Sequence, residues 1–328
     1  MTATVDDPTT KEVSPWDRFL FEPQSTSPAA LLRIGWGFLA AVWALTLLPD
    51  IDPLLTDGAL RYDRSQPTGG WNPLDWTSWD GAPLAACFVL VVAGIATMVG
   101  YRTRLSSVVA VVCMLSLQRT NATIFNSGDL LLRQIGLIVA LAPAGLVLSM
   151  DARRNRRGSA ATDDDGAPAP PPTRAPWALR LLQVQIAVGY ALSCWAKLRG
   201  STWHEGTALG LAMRIEDLQR FAAPEWLYDQ EILLNLLTWG TLLFEGAFLF
   251  AVWSRRLRPW VLWTGVAFHL AIDVIFDVGF FSAAMWLAYL AFLPPETADG
   301  VVDRIQARLR RGRGDAADDP SAAVPLPI

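Results

Sequence analysis

Apolar runs of helix length, separated by short polar segments, recur along most of the chain. Crossing a bilayer takes about 20 mostly apolar residues. The runs Pro28–Leu48, Ala82–Gly100, Leu105–Leu117, Leu130–Met150, Pro176–Lys197, Ile232–Trp253, Pro259–Ile275 and Gly279–Leu293 reach or approach that length. No strand-period alternation competes with them. The pattern predicts an all-α integral membrane protein, a polytopic bundle of about eight transmembrane helices. The third run is short and is expected to extend toward Asn121. The last two are separated by a few residues around Asp277, which predicts a tight hairpin.

The polar segments carry an orientation signal. Short cytoplasmic loops are enriched in Lys and Arg. Arg102 and Arg104 follow the second run; Arg153, Arg154, Arg156 and Arg157 follow the fourth. Arg255, Arg256 and Arg258 follow the sixth, and a run from Arg304 to Arg313 follows the eighth. With eight spans all four sets fall on one side, and Arg18 agrees. Both termini are then cytoplasmic, in a multi-pass protein of the plasma membrane. A seven-span arrangement would put the last basic run outside.

Composition agrees with this class. Of 328 residues 52% are hydrophobic and 18% charged, against about 25% charged in soluble domains. The 15 tryptophans suit membrane interfaces. A net charge of −4 decides little, because the charges are segregated. No basic stripe suggests nucleic acid. The polar, acidic N-terminus does not read as a cleavable signal peptide. Cys87, Cys113 and Cys194 all lie in apolar runs, so neither a disulfide framework nor a metal site is expected. Residues 1–15 read as a disordered tail and 16–298 as the membrane domain. The low-complexity stretch 158–173 reads as a cytoplasmic linker. Residues 299–328 read as a basic juxtamembrane segment, with a disordered tail from Gly314.

The expensive residues are the informative ones. Lys197 closes the fifth run, and a charge there marks a functional candidate. Burial disfavours its charged form, which would let it accept a proton as a general base. Snorkelling of its head to the headgroups is the bland alternative. Trp203, His204 and Glu205 follow closely. His269 precedes Asp273 by one helical turn, so a carboxylate could orient the imidazole. Asp129 is placed to cap the fourth run beside Asn126, Ser127 and Gly128. Arg119 is its expected partner, or a ligand's. Glu245, in the middle of the sixth run, needs a partner, and an arginine is the simplest one. The topology places most of these groups in the outer half of the bilayer. Two long outer segments, 50–80 with its tryptophans and 198–231, are expected either to cover a site or to lie at the interface.

At these residues the chain resembles the HTTM superfamily, the membrane domain shared with vitamin K-dependent gamma-glutamyl carboxylase. The resemblance runs from about Trp16 to Pro295. It is carried by Trp16-Asp17-Arg18-Phe19, by Arg119-Thr120-Asn121 through Asn126-Ser127-Gly128-Asp129, and by Tyr190 to Gly206 around Ala196-Lys197-Leu198. Glu245 and Phe268-His269, followed by Phe276-Asp277-Val278-Gly279-Phe280, complete it. It implies that Lys197 acts as the base toward reduced vitamin K or menaquinol, with oxygen and carbon dioxide consumed, and that His269 belongs to the core of the site. Ser127 stands where the carboxylases have a functional histidine. The large luminal domain of those enzymes lies outside the resemblance, so processive carboxylation of a tethered protein is not expected. Relatives include a maturation factor for a secreted peptide toxin. Two readings therefore stay open. One is a quinol-linked enzyme acting on a peptide or small substrate from the outer face. The other is a non-enzymatic maturation or immunity factor that binds a peptide through its Trp-rich outer loops. A transporter would need charges through both halves of the bilayer, and the outer bias argues against it.

Overall fold

The computed structural model describes residues 13–56, 71–158 and 171–317. It is all-α apart from one two-stranded antiparallel pair, β1 (Gln24–Ser25) with β2 (Thr173–Arg174). A short helix α1 (Pro15–Phe21), capped by Ser14, precedes α2 (Ser27–Thr46) and the one-turn α3 (Ile51–Leu55). Then come α4 (Ala82–Val99), α5 (Thr103–Thr120), α6 (Ser127–Leu141) and α7 (Met150–Gly158). In the second half, α8 (Trp177–Lys197) leads through the short α9 (Ser201–His204), α10 (Ala208–Ala212) and α11 (Glu225–Tyr228) to α12 (Glu231–Ala251). The chain continues through α13 (Arg258–Ile275), α14 (Phe281–Tyr289) and α15 (Pro295–Ala317).

Each of the eight apolar runs contains one helix. Among the described residues, three helical stretches are long and apolar enough to cross a membrane: Ser27–Leu55, Ala82–Val99 and Glu231–Ala251. Successive long helices alternate in direction. At one end, Arg33 of α2 reaches the carbonyls that follow α6, and the Asp151 amide donates to Gly100 after α4. Phe19 packs on Trp253 at the same end. At the other end, Asn121 donates to Leu54 and Asn126 to Val278.

Three segments refine or depart from expectation. The third run extends toward Asn121 as expected and also starts earlier, forming a helix from Thr103 to Thr120. Its flanks are polar, but Ser106, Ser107, Ser116 and Thr120 bond back to carbonyls one turn earlier, which satisfies their hydroxyls inside the helix. The fourth run is shorter than expected. Pro143 cannot continue a helix and forces Ala142 into an extended conformation, so α6 ends at Leu141. Near the C-terminus, α15 carries the basic segment as a helix and runs through Gly314 to Ala317, where a disordered tail was expected.

Small residues set the closest packing. A side chain at Gly37 of α2 would collide with the backbone of Gly94 and Met98 in α4, the close approach that small residues allow between membrane helices. Trp36 and Trp43 of α2 are buried; their indole nitrogens donate to the Leu132 carbonyl (2.7 Å) and the Asp129 carboxylate (2.7 Å) of α6.

Asp151 ties α7 to the start of α5. Its carboxylate accepts from the Arg102 amide (2.9 Å), the Thr103 amide (2.8 Å) and the Thr103 hydroxyl (2.8 Å). Burial alone would raise its pKa, but the Thr103 and Arg102 hydrogen bonds and the Arg154 charge outweigh burial and hold it below the usual carboxylate range. A carboxyl depressed in the fold stabilises above its unfolded value of about 4, and the contribution is lost as pH falls through the folded value. Asp151→Asn is therefore expected to lower stability at neutral pH and to converge with the wild type in acid. Melting measured across pH in detergent checks this; a constant gap at all pH values would count against it.

Candidate functional site

Tyr190, Ser193 and Lys197 recur on one face of α8, and helical spacing turns all three toward α12 and α13. Glu245 lies midway along α12 and is 4% exposed; His269 lies on α13 and is 1% exposed. These residues line one cavity of about 840 Å³, bounded by α6, α8, α12, α13 and α14. Phe244, Phe268 and Phe281 make its walls largely apolar and aromatic. The second outer segment covers part of it, contributing Trp203, Ala208, Leu209 and Ala212.

Two polar clusters punctuate the cavity. In the first, Lys197 Nζ donates to Glu245 Oε1 and to Ser193 Oγ, both at 2.6 Å, and Ser193 donates to the same carboxylate oxygen at 3.1 Å. The ammonium also lies 5.3 Å from the Trp203 ring centre, within cation–π range. The Lys197 side chain is 24% exposed and that of Glu245 5%. The other oxygen, Glu245 Oε2, is buried with no hydrogen-bond partner among the described residues.

In the second cluster, His269 Nε2 lies 2.7 Å from the Tyr190 hydroxyl, which also bonds the Tyr289 hydroxyl. Ser282 donates to the His269 carbonyl at 3.0 Å. His269 Nδ1 is buried without a partner among the described residues. An orphaned N–H costs more than an orphaned lone pair, so the favoured arrangement has Nε2–H donating to Tyr190, Tyr190 donating to Tyr289, and Nδ1 left as an acceptor. Tyr190 and Lys197 are seven residues apart, about 10 Å along the helix. One ligand of moderate size can therefore touch both clusters.

The structure gathers some of the sequence-derived residues here and sends others elsewhere. Lys197, Glu245, His269, Trp203 and Ser127 line the cavity. Asp273 does not orient His269: it faces Arg220 at 3.4 Å, which also holds Asp277 at 3.1 Å. Asp129 is not itself the N-cap. Asn126 caps α6, and Asp129 completes the capping box by accepting from the Asn126 amide while it accepts from Trp43. Neither Asp129 nor Arg119 lines the cavity. Glu245 pairs with a lysine rather than an arginine. Ser193 and Tyr289 escaped the sequence reading. Ser193, one turn before Lys197, was the available signal; Tyr289 meets its partners only through packing.

Of the first outer segment, Arg61 to Arg64 and Gly69-Gly70 lie outside the described residues, and Trp71, Trp76 and Trp79 are exposed and away from the cavity. Among the described residues no group of three His, Cys, Asp or Glu side chains is placed to hold a metal ion.

The family model of the HTTM domain matches residues 21–296. No curated protein and no solved structure matches the chain.

Proposed function

Because the chain belongs to the HTTM domain family, we propose that it is a carboxylase-like membrane enzyme that binds a reduced naphthoquinol in this cavity and manages a proton with the Lys197–Glu245 pair. We place it in the plasma membrane as eight spans with both termini cytoplasmic. The alternating helix directions and the arginines gathered at one end support that placement.

One observation carries the reading: an apolar cavity of ligand size holds two buried acceptors, His269 Nδ1 and Glu245 Oε2, that lack donors among the described residues. Sites for small molecules typically occupy about 300–1,000 Å³, with apolar walls and a few placed polar groups. A flat aromatic diol fits on both counts. Phe244, Phe268 and Phe281 would pack its rings, and its hydroxyls would supply the missing donors. When bound, such a quinol supplies electrons for reaction with oxygen and thereby a base strong enough to act on an unactivated carbon acid.

The protein's part is to hold and move a proton. Lys197 Nζ already donates to Glu245 Oε1, so the atom free to receive a proton is Glu245 Oε2 rather than Lys197 Nζ. Lys197, the more exposed partner, would then release a proton toward the outer side past Trp203. Lys197 thus acts as half of a couple, not as an isolated neutral amine. His269 and Tyr190 orient the ligand at the far end.

Gly189 supplies the test. A Cβ added there meets no atom within 4 Å, yet the residue lines the cavity. Gly189→Leu is expected to keep or raise the melting midpoint, since glycine costs about 1 kcal/mol in a helix, and to lose the quinone that co-purifies with the wild type. Mass spectrometry of extracts reads the quinone, and quinol-dependent uptake of labelled carbon dioxide reads activity. A wild type that carries no quinone, or a variant that keeps it, would overturn the reading. The non-enzymatic alternative predicts the reverse pattern: a mild Lys197→Ala and a severe deletion of 71–79.

A further inference from the structure

A second cavity, of about 690 Å³, opens at the opposite end of the bundle from the first. It lies where the turn between α4 and α5 meets the connection from α6 to α7. Four arginines line it: Arg102, Arg104, Arg154 and Arg174. Leu105, Ala142, Pro143 and Leu146 give it an apolar side. We propose that this cavity binds the phosphate headgroup of an anionic phospholipid from the arginine-bearing leaflet, with the upper part of an acyl chain against the apolar side.

The charge balance favours an anion. Among the described residues, the one carboxylate in the lining, Asp151, is already committed to the Arg102 amide and to the amide and hydroxyl of Thr103. It caps α5 and leaves the guanidiniums in excess. Among the described residues, no ion pair engages any of the four arginines. Among the described residues, the Arg174 guanidinium donates to its neighbouring carbonyl, Thr173. Guanidinium forks match phosphate oxygens in geometry as well as charge.

The backbone is also specialised here. Arg102 has φ 44°, one of two described non-glycine residues with positive φ. Residues with side chains rarely hold that conformation unless their surroundings over-determine it, and such positions cluster at functional sites. Asp151 supplies the constraint by gripping the Arg102 amide. Arg102 thereby joins Arg104 and Arg154 in the lining of one cavity rather than following the course of either helix.

A lipid, not free phosphate, suits the mixed lining. Leu105 is 56% exposed and borders the arginines, so one molecule with a charged head and an apolar tail can satisfy both parts. Basic residues at this depth attract anionic lipids by about 1 kcal/mol each, which corresponds to roughly fivefold in retention per arginine.

Full-length protein is reconstituted in nanodiscs of phosphatidylcholine alone, or of phosphatidylcholine with phosphatidylglycerol, and released for native mass spectrometry. Phosphatidylglycerol is expected to be retained over phosphatidylcholine. The Arg102→Gln/Arg154→Gln variant is expected to lose that preference by about fivefold per guanidinium removed. Arg102→Lys/Arg154→Lys, which keeps the charge, should retain part of it and controls for misfolding. Equal retention of both lipids would overturn the proposal, as would an unchanged preference in the Gln variant. Inorganic phosphate added to phosphatidylcholine discs should not raise the melting midpoint as phosphatidylglycerol does; an equal rise would assign the site to free phosphate and also overturn it.

Discussion

Replacing Lys197 by Met is expected to stop turnover and to weaken the fold, and adding Glu245→Gln is expected to restore the fold but not the turnover. The single change leaves a carboxylate that is 5% exposed with Ser193 as its remaining partner. Breaking a buried pair by removing one member costs about 3–5 kcal/mol, because the other charge stays desolvated. The 24% exposure of the lysine side chain moves the expectation to the low end, about 3 kcal/mol. Replacing both members removes that charge, and apolar or neutral replacements of buried pairs are often neutral in stability. Turnover behaves differently, because proton transfer by a positioned group contributes about 10²–10⁴-fold and both variants lack it. Melting in detergent closes a double-mutant cycle for stability, and quinol-dependent carbon dioxide uptake closes one for activity. A single variant as stable as the wild type would make the pair a solvated surface bridge. An active double variant would remove the pair from the chemistry.

That result separates what was legible in the chain from what was not. The helices were legible because crossing an apolar layer demands long runs, and each run stands out against its charged borders. Lys197, Glu245 and His269 were legible as single residues, because each is costly where it lies. Their partners were not. The Lys197–Glu245 pair spans 48 positions and exists only because α8 packs on α12. Helical spacing does put His269 and Asp273 on neighbouring positions, but spacing cannot see the chain that arrives from outside. The Arg220 amide bonds the Ile275 carbonyl, which brings the Arg220 side chain to Asp273 and leaves His269 to the tyrosines. Asp129 was read correctly as a helix-start residue and wrongly as the cap, because Asn126 competes for the same amides from the better position.

Arg33 shows the same blindness from the other side, and replacing it by Met is expected to give the largest single loss of stability in the chain. Averaged over its apolar run, one arginine near the start of α2 disappears. In the fold it is 0% exposed. Nη1 donates to the Ala144 carbonyl at 3.1 Å and the Val147 carbonyl at 3.4 Å, and Nη2 donates to the Leu148 carbonyl at 2.7 Å. Pro143 ends α6 early, so these carbonyls have no helical partners, and Arg33 stands in for the missing turn. Leu148, with φ 49°, is held in a strained conformation by the same contact. Methionine fills much of the volume but leaves two buried acceptors and one part-buried acceptor without this donor, each worth about 1–3 kcal/mol. A loss of at least about 3 kcal/mol is expected. Lysine should not rescue it, because a single ammonium lacks the planar fork that reaches three carbonyls. The connection held by Arg33 also supplies Ala142, Pro143 and Leu146 to the arginine-lined cavity, so loosening it should reduce retention of phosphatidylglycerol as well. Melting and native mass spectrometry on the same sample test both consequences. Wild-type stability in Arg33→Met would mean that the connection after α6 is held by something other than this guanidinium.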